Sequence, residues 1–399
     1  MTMQPAKQIP PPSWMKIPET VKVMNVLNAG SPRAQALFVG GCVRNEIMKI
    51  KVDDIDIATR LTPPRVIERL EKAGIKAVPT GIDHGTVTAV IEKKSYEITT
   101  LRRDVETDGR HAIVAYTDDW AEDAARRDFT INTLLADENG NIYDPTGCGL
   151  RDAAARKVIF VGDPARRIAE DHLRILRFFR FHAYYGSGSP DAEALRACRE
   201  AAGKIKALSR ERITREFLKI MEAGNAAPIL ELMFGHNIMT DLPGAGYDSA
   251  ALERLISLQE MHRMSEVLSR LAMLKAGEEA LEKYLIFSNA RKKTLKRIMT
   301  AAGGIKDVNA AAIKKLIYAE GAEMAGQVLL MNAAVNGADA DMDLVKTWQP
   351  PAFPLRGDDI TANGISGPAV GRILKQIEDW WIDNDFAPDR AACLKRIEG

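Results

Sequence analysis

The chain has 399 residues, 27% of them charged, and its 55 Lys and Arg offset 54 Asp and Glu to a net charge of +1. That length suits roughly two to four domains, and so even a balance makes no demand for a polyanion over the whole surface. No apolar run approaches the about 20 residues of a membrane-crossing helix, so no membrane partner is expected.

The first stretch, Met1 to Trp14, holds three consecutive prolines, Pro10 to Pro12. It has no apolar core of a signal peptide and reads as a loose arm. Ala36-Leu37-Phe38-Val39 then reads as a strand. Gly40 and Gly41 free the backbone for a close approach, and a short helix is predicted over Val43 to Lys49. Backbone N–H groups at a turn, a helix start and Arg44 together suit a phosphate. Asp54 and Asp56 follow in a strand-like run that ends Ile57-Ala58-Thr59. Period two puts both carboxylates on one face, where they repel unless a hard cation sits between them. Mg²⁺, held by one or two carboxylates plus substrate phosphates, is the expected occupant.

Thr86 to Ile91 and Ser95 to Leu101 read as a hairpin around Glu92-Lys93-Lys94. Ile142-Tyr143-Asp144-Pro145 reads as a strand end stopped by a turn. Beyond Pro164 the spacing is helical, with breaks at Gly186 to Pro190, Asp241 to Gly246 and Gln349 to Pro354. The fold class is therefore α+β: a small mixed-sheet head followed by an elongated all-α arm. Cys42, Cys148, Cys198 and Cys393 lie far apart, without a Cys-x-x-Cys pair. They suit a reducing cytoplasm better than a zinc site or a disulfide framework. Between Arg156 and Lys219, 15 Lys and Arg face 8 Asp and Glu. Arg291, Lys292, Lys293, Lys296 and Arg297 form a second basic cluster, a candidate RNA-binding face.

The order Gly-Gly-Cys-Val-Arg-Asn, then Asp-Asp-Ile-Asp-Ile-Ala-Thr, resembles the nucleotidyltransferase superfamily that includes DNA polymerase β. More closely, it is similar to the class II tRNA nucleotidyltransferases, the CCA-adding enzymes, and the related bacterial poly(A) polymerases. That resemblance implies Asp54 and Asp56 as catalytic metal ligands, Glu97 as a third catalytic carboxylate, and Gly40, Gly41 and Arg44 as triphosphate ligands. Family members often have Asp where this chain has Asn45. The resemblance covers nearly the whole chain. It divides the chain into an N-terminal arm and helix (1–29), a head (30–155), a neck (156–222), a body (223–300) and a tRNA-binding tail (301–399).

Arg126-Arg127-Asp128-Phe129-Thr130-Ile131-Asn132 resembles the family's ribose-reading motif. Asp128 can accept from a ribose hydroxyl, and Arg127 and Asn132 can donate. Glu170-Asp171-His172-Leu173-Arg174-Ile175-Leu176-Arg177 resembles the element that reads the incoming base. On one helix, Asp171, Arg174 and Arg177 would share a face. A carboxylate only accepts, so Asp171 would select the exocyclic amine of cytosine or adenine. A guanidinium only donates, so Arg174 would select the ring acceptors beside it. Uracil and guanine would leave buried groups unpaired, at a cost on the order of 1–3 kcal/mol each. Arg177 would brace the pair or bind phosphate. The segment between Arg102 and Arg126 matches a flexible element thought to switch the pocket from C to A. Glu211-Arg212-Ile213 with Glu216 reads as helix packing that supports the pocket. Leu355 to Gly371 resembles a C-terminal element whose Gly367-Pro368 opens a helix.

The activity implied is template-independent addition of CCA to the tRNA 3′ end from CTP and ATP, with Mg²⁺, by a monomer or homodimer. Two rivals stay open at this point. One is a poly(A) polymerase or A-adding-only relative; the other is a catalytically silent RNA-binding protein on the same fold.

Overall fold

The computed structural model describes residues 3–107, 112–305, 308–337 and 342–397. It falls into two compact units: 1–240 with 282–285, and 241–281 with 286–399.

The first unit is built on a mixed sheet. Its strands are β1 (Lys7–Gln8), β2 (Ala36–Val39), β3 (Ile55–Thr59), β4 (Lys76–Gly81), β5 (Thr86–Ile91) and β6 (Lys94–Thr100). They continue with β7 (Arg102–Thr107), β8 (Ala112–Tyr116), β9 (Leu135–Ala136) and β10 (Asn141–Tyr143). The spatial order is β1-β10-β9-β2-β3-β6-β5-β4, with β7 and β8 paired as a separate ribbon. Strands β3 and β6 run parallel, and their register sets Asp56 beside Glu97. The other pairs are antiparallel.

All four residues of β2 are buried, which explains an uninterrupted apolar run in a central strand. The expected hairpin forms with a two-residue turn, Glu92-Lys93, so its second strand starts at Lys94. The N-terminal stretch is not loose. Lys7–Gln8 pair with β10, and Trp14 and Met15 are buried, with the Trp14 ring edge-on to Phe38 at 5.0 Å. The Trp14 indole N–H donates to Glu46 at 3.2 Å. Burial of a large aromatic ring with its polar tip satisfied outweighs the absence of local order that the prolines suggest.

The helices of this unit are α1 (Pro18–Asn28), α2 (Gly41–Met48), α3 (Pro63–Lys72), α4 (Trp120–Ala125) and α5 (Gly149–Ala154). They continue with α6 (Pro164–Glu170), α7 (Arg174–Tyr185), α8 (Ala192–Ala201), α9 (Arg210–Glu222) and α10 (Ala226–Gly235). Beyond β10 no strand occurs among the described residues. Asp163 caps α6 by accepting from Arg166 N, and Pro164 at the first helical position fits the same start.

The second unit is helical throughout its described residues. A polar cluster lies in its interior. Gln259, Ser269, Arg270 and Gln327 are all buried, and Gln259 donates to both Ser269 and Gln327 at 2.8 Å. Near its C-terminal end, Leu355, Ile360, Ile377, Trp381 and Cys393 form a separate apolar core. No described helix is long and apolar enough to cross a membrane.

Candidate active site

The strand-to-helix turn after β2 explains both glycines. Gly40 sits at φ 69°, ψ −121°, a conformation L side chains rarely adopt, and a Cβ there would meet Arg127 Nη1 at 3.4 Å. Helix α2 begins at Gly41, two residues before the start read from sequence, because Gly40 turns the chain sharply enough for Gly41 to enter the helix. On its first turn Arg44 is 5% exposed. Its Nη1 donates to Asn132 Oδ1 at 2.6 Å, and its guanidinium lies 3.7 Å from the centre of the Tyr185 ring. Burial draws the Arg44 pKa below its ordinary value.

Strand β3 starts at Ile55, so Asp54 stands one residue ahead of it and is exposed, while Asp56 is half-buried within it. Burial pushes the Asp56 carboxyl up to about 6, with the charges of Glu97 and Asp54 adding to the rise and Arg127 and Arg44 opposing it. Such a carboxylate is poised to gain from a cation.

The Arg126–Asn132 segment is anchored by its phenylalanine. Phe129 packs against Phe160 at 4.8 Å and Phe181 at 4.9 Å, so the residues beside it are fixed to α7. Asp128 Oδ1 accepts from Phe129 N and from Asn132 Nδ2, both at 2.9 Å. Its Oδ2 accepts from Arg177 Nε at 2.8 Å and from Arg177 Nη2. The four acceptor directions of this buried carboxylate are thus spent on the protein's own donors. Burial works against its charge, yet Arg177, Asn132 and the Phe129 N–H hold Asp128 below the usual carboxylate range. Arg127 Nη2 donates to Asp123 at 3.0 Å, and Asp123 also binds Arg126.

The Glu170–Arg177 segment differs in backbone from its sequence reading. Helix α6 ends at Glu170, Asp171 is extended at φ −153°, ψ 105°, and α7 begins only at Arg174. Asp171 therefore shares no helix with Arg174 and Arg177. The break is stabilised locally: Asp171 Oδ1 accepts from Leu173 N at 3.1 Å, and Arg174 Nη1 donates to Arg167 O at 2.8 Å, satisfying a carbonyl near the α6 end. Arg174 also donates to Glu170 Oε2 at 2.7 Å. Asp171 Oδ2 accepts from Arg212 Nη2 of α9 at 2.7 Å.

These parts converge on one cleft of about 470 Å³. Gly40, Gly41, Arg44, Asp56, Arg127, Asp128, Asn132, Asp171, Arg174 and Arg177 all line it. Asp54 and Glu97 are not in the lining; Glu97 is exposed beside Asp56 on β6. Among the described residues no three His, Cys, Asp or Glu side chains converge to enclose a metal on their own. Arg126, Leu173, Phe181 and Arg212 line the cleft as well and were not expected there. For Arg212 the signal was present in Glu211-Arg212-Ile213, which reads as packing because sequence alone does not show what faces Asp171. Six arginines against three aspartates give the cleft a cationic lining suited to a polyphosphate. Burial, with Arg102 and Arg127 nearby, draws the Arg126 guanidinium down to about 10.

The basic cluster lies on the helix Asn289–Gly304 of the second unit. Arg291, Lys292, Lys293, Lys296 and Arg297 are exposed, while Leu295 and Ile298 of the same helix are buried. Arg297 pairs with Glu320 at 2.6 Å.

A family model described as "Poly A polymerase head domain" matches residues 36–159, and one described as "Probable RNA and SrmB- binding site of polymerase A" matches residues 189–246. The mitochondrial CCA tRNA nucleotidyltransferase 1 of Danio rerio is 34% identical over 376 residues, which span 90% of this chain and 86% of that protein. The chain belongs to the CCA tRNA nucleotidyltransferase family. The CCA-adding enzyme of Streptococcus gordonii is 30% identical over 380 residues, 91% of this chain and 93% of its own. The crystal structure of the Bacillus stearothermophilus CCA-adding enzyme in complex with CTP matches at a TM-score of 0.77 and 26% identity, over 92% of this chain and 94% of that one. This family member thus has the nucleotidyltransferase head and helical arm expected from its sequence.

Proposed function

We propose that this CCA-adding family member extends the 3′ end of tRNA with C, C and A, taking CTP and ATP and releasing pyrophosphate, without a nucleic-acid template. The observation that carries this reading is the shared cleft. The Gly40-Gly41 turn, Asp56, the Arg126–Asn132 segment, Asp171 and Arg174 all face one space. Phosphate, sugar and base can therefore be held together by protein groups.

Asp54 and Asp56 fit a divalent cation. They are hard oxygen donors, and the Asp56 carboxyl, pushed up first by burial and then by the charges of Glu97 and Asp54, is one whose ionised form a cation would favour. Mg²⁺ is commonly held by one or two carboxylates, with the remaining ligands from phosphate and water. When bound, it would favour ionisation of the attacking hydroxyl and neutralise charge on the leaving pyrophosphate. Glu97 would add its charge from the neighbouring strand.

The protein's own groups do the rest. Gly40 and Gly41 admit the triphosphate to the backbone, and Arg44 and Arg127 balance its charge. Asp128 holds Arg177 and Asn132 in place, which leaves an amide N–H of Asn132 for the sugar. Asp171 accepts from the exocyclic amine of cytosine or adenine, while Arg174 donates to the adjacent ring acceptors. Glu170 and the Arg167 carbonyl fix the Arg174 fork beforehand, so ordering it costs little on binding. UTP and GTP would place acceptor against acceptor at Asp171. The exposed basic face of Asn289–Gly304 is assigned to tRNA phosphates. Four free cysteines fit a reducing compartment, and the cytoplasm is the one proposed.

The test is incorporation into tRNA lacking CCA, with each of the four nucleotides alone and with CTP and ATP together. CTP and ATP together should add three residues and stop, and UTP and GTP should add none. A long tract from ATP alone would replace this reading with poly(A) synthesis.

A further inference from the structure

We propose that Tyr185, the last residue of α7, is a positioning residue of the nucleotide site: its ring holds the Arg44 guanidinium in place for the triphosphate. This deepens the reading of Arg44 as a triphosphate ligand and rests on it. Six arginines line the cleft, and five of them meet a carboxylate of Asp123, Asp128, Glu170 or Asp171. Arg44 is the exception among the described residues. Its Nη1 donates to Asn132 Oδ1 at 2.6 Å, and its Nε and Nη2 donate to Asn45 Oδ1 at 3.1 and 2.8 Å. The remaining neighbour is the half-buried Tyr185 ring, whose centre lies 3.7 Å from the guanidinium carbon. The Phe181 ring is farther, at 5.5 Å, and also receives Arg177 and Arg180.

A cation over a ring is attracted by the ring quadrupole, most strongly where water is excluded. Arg44 is buried, so its contact belongs to that regime. The ring consumes no N–H. Of the five guanidinium donors the two amides use three, which leaves one on each terminal nitrogen for phosphate oxygens. Those nitrogens stand at the turn: a Cβ on Gly41 would lie 3.7 Å from Arg44 Nη2 and 3.9 Å from Asp56 Oδ2. The Tyr185 ring is itself seated, with the buried Phe181 one helical turn earlier at 5.5 Å. The same helix begins at Arg174, and its Arg177 holds Asp128. Its 12 residues make a rod about 18 Å long. One rigid element thus fixes the base-reading arginine at one end and steadies the triphosphate arginine at the other.

The experiment compares wild type with Tyr185→Phe, Tyr185→Leu, Arg44→Ala and the double variant Tyr185→Leu with Arg44→Ala. Affinity for CTP and ATP is measured by equilibrium titration without tRNA, and affinity for inorganic triphosphate by competition. KM and kcat are measured on tRNA lacking CCA. Tyr185→Leu, which keeps an apolar side chain but no ring, should weaken all three ligands alike, by about fivefold to tenfold. KM should rise by the same factor, with kcat down by less than about threefold and the CTP-to-UTP ratio of kcat/KM within twofold of wild type. Tyr185→Phe should restore the affinity, because the ring and not the hydroxyl holds the cation. In the Arg44→Ala background the leucine should cost nothing further. Should Tyr185→Leu fail to fold, Tyr185→Met carries the same comparison. Wild-type affinity in the ringless variant, with Arg44→Ala weakened, overturns the inference alone. An equal loss with and without Arg44, or a loss in Tyr185→Phe as large as in Tyr185→Leu, overturns it too. Wild-type affinity in Arg44→Ala overturns the reading of Arg44 on which it rests.

Discussion

The Arg212 guanidinium of α9 donates to Asp171 at 2.7 Å, at a point where the chain between α6 and α7 is extended. Asp171 has no helical neighbours to hold its carboxylate, so its aim depends on this cation and on the Leu173 N–H. Arg212→Met keeps much of the side-chain volume and removes the donor. The expected result is a roughly tenfold narrowing of the CTP-to-UTP ratio of kcat/KM, with a smaller loss on CTP itself. An unchanged ratio would leave Arg212 as packing only.

Arg174 is held by Glu170 and by a carbonyl of the preceding helix, leaving its fork aimed by the fold rather than by substrate. In Arg174→Ala, base choice should relax, with a loss of about 1–3 kcal/mol in discrimination between right and wrong bases. Affinity for tRNA, measured by filter binding, should stay within about twofold of wild type. Tighter discrimination, or a collapse of tRNA binding with intact base choice, would refute the assignment.

The parts of this site that were legible in the sequence are those fixed by local chemistry. The buried β2 run, the Gly40 turn and the Arg126–Asn132 segment announce themselves through apolar burial, a positive φ and an anchoring Phe129. The break at Asp171 was not legible, because no Gly or Pro marks it and the apolar spacing continues across it. It arises from contacts distant in sequence: Arg212 reaching from α9, and Arg174 satisfying the Arg167 carbonyl. The docking of Trp14 is hidden for the same reason. Its partners, Phe38 and Glu46, lie across a helix and a loop from it.

The basic helix Asn289–Gly304 gives a prediction about salt. Its Leu295 and Ile298 are buried, while Lys293 and Lys296 are exposed. If these lysines meet tRNA phosphates, Lys293→Glu with Lys296→Glu should weaken tRNA binding alike for different tRNA sequences. The slope of log Kd against log salt should fall by about 1 per lost contact. Incorporation at saturating tRNA should change little. A double variant with the wild-type slope would move the RNA face elsewhere.

Asp56 makes the strongest claim on pH. Its carboxyl is pushed up to about 6 by burial, with Glu97 and Asp54 adding to the rise, against an ordinary 3.8. Between those values the folded chain keeps a proton that the unfolded chain has lost. Stability therefore falls as pH rises through this window, and the penalty is complete above it. Asp56→Asn removes the charge that causes the penalty. In metal-free buffer at pH 7.5 the variant should be more stable than wild type by on the order of 1–3 kcal/mol, and the advantage should vanish near pH 4. Mg²⁺ should reverse the order at pH 7.5, because it binds the carboxylate of the folded wild type and stabilises it by mass action. Thermal melts at the two pH values, with and without Mg²⁺, supply all four readings. The variant should incorporate no nucleotide. Equal melting of the two proteins at pH 7.5 without metal would show that the crowding around Asp56 carries no cost, and the case for a cation at this strand would lose its physical basis.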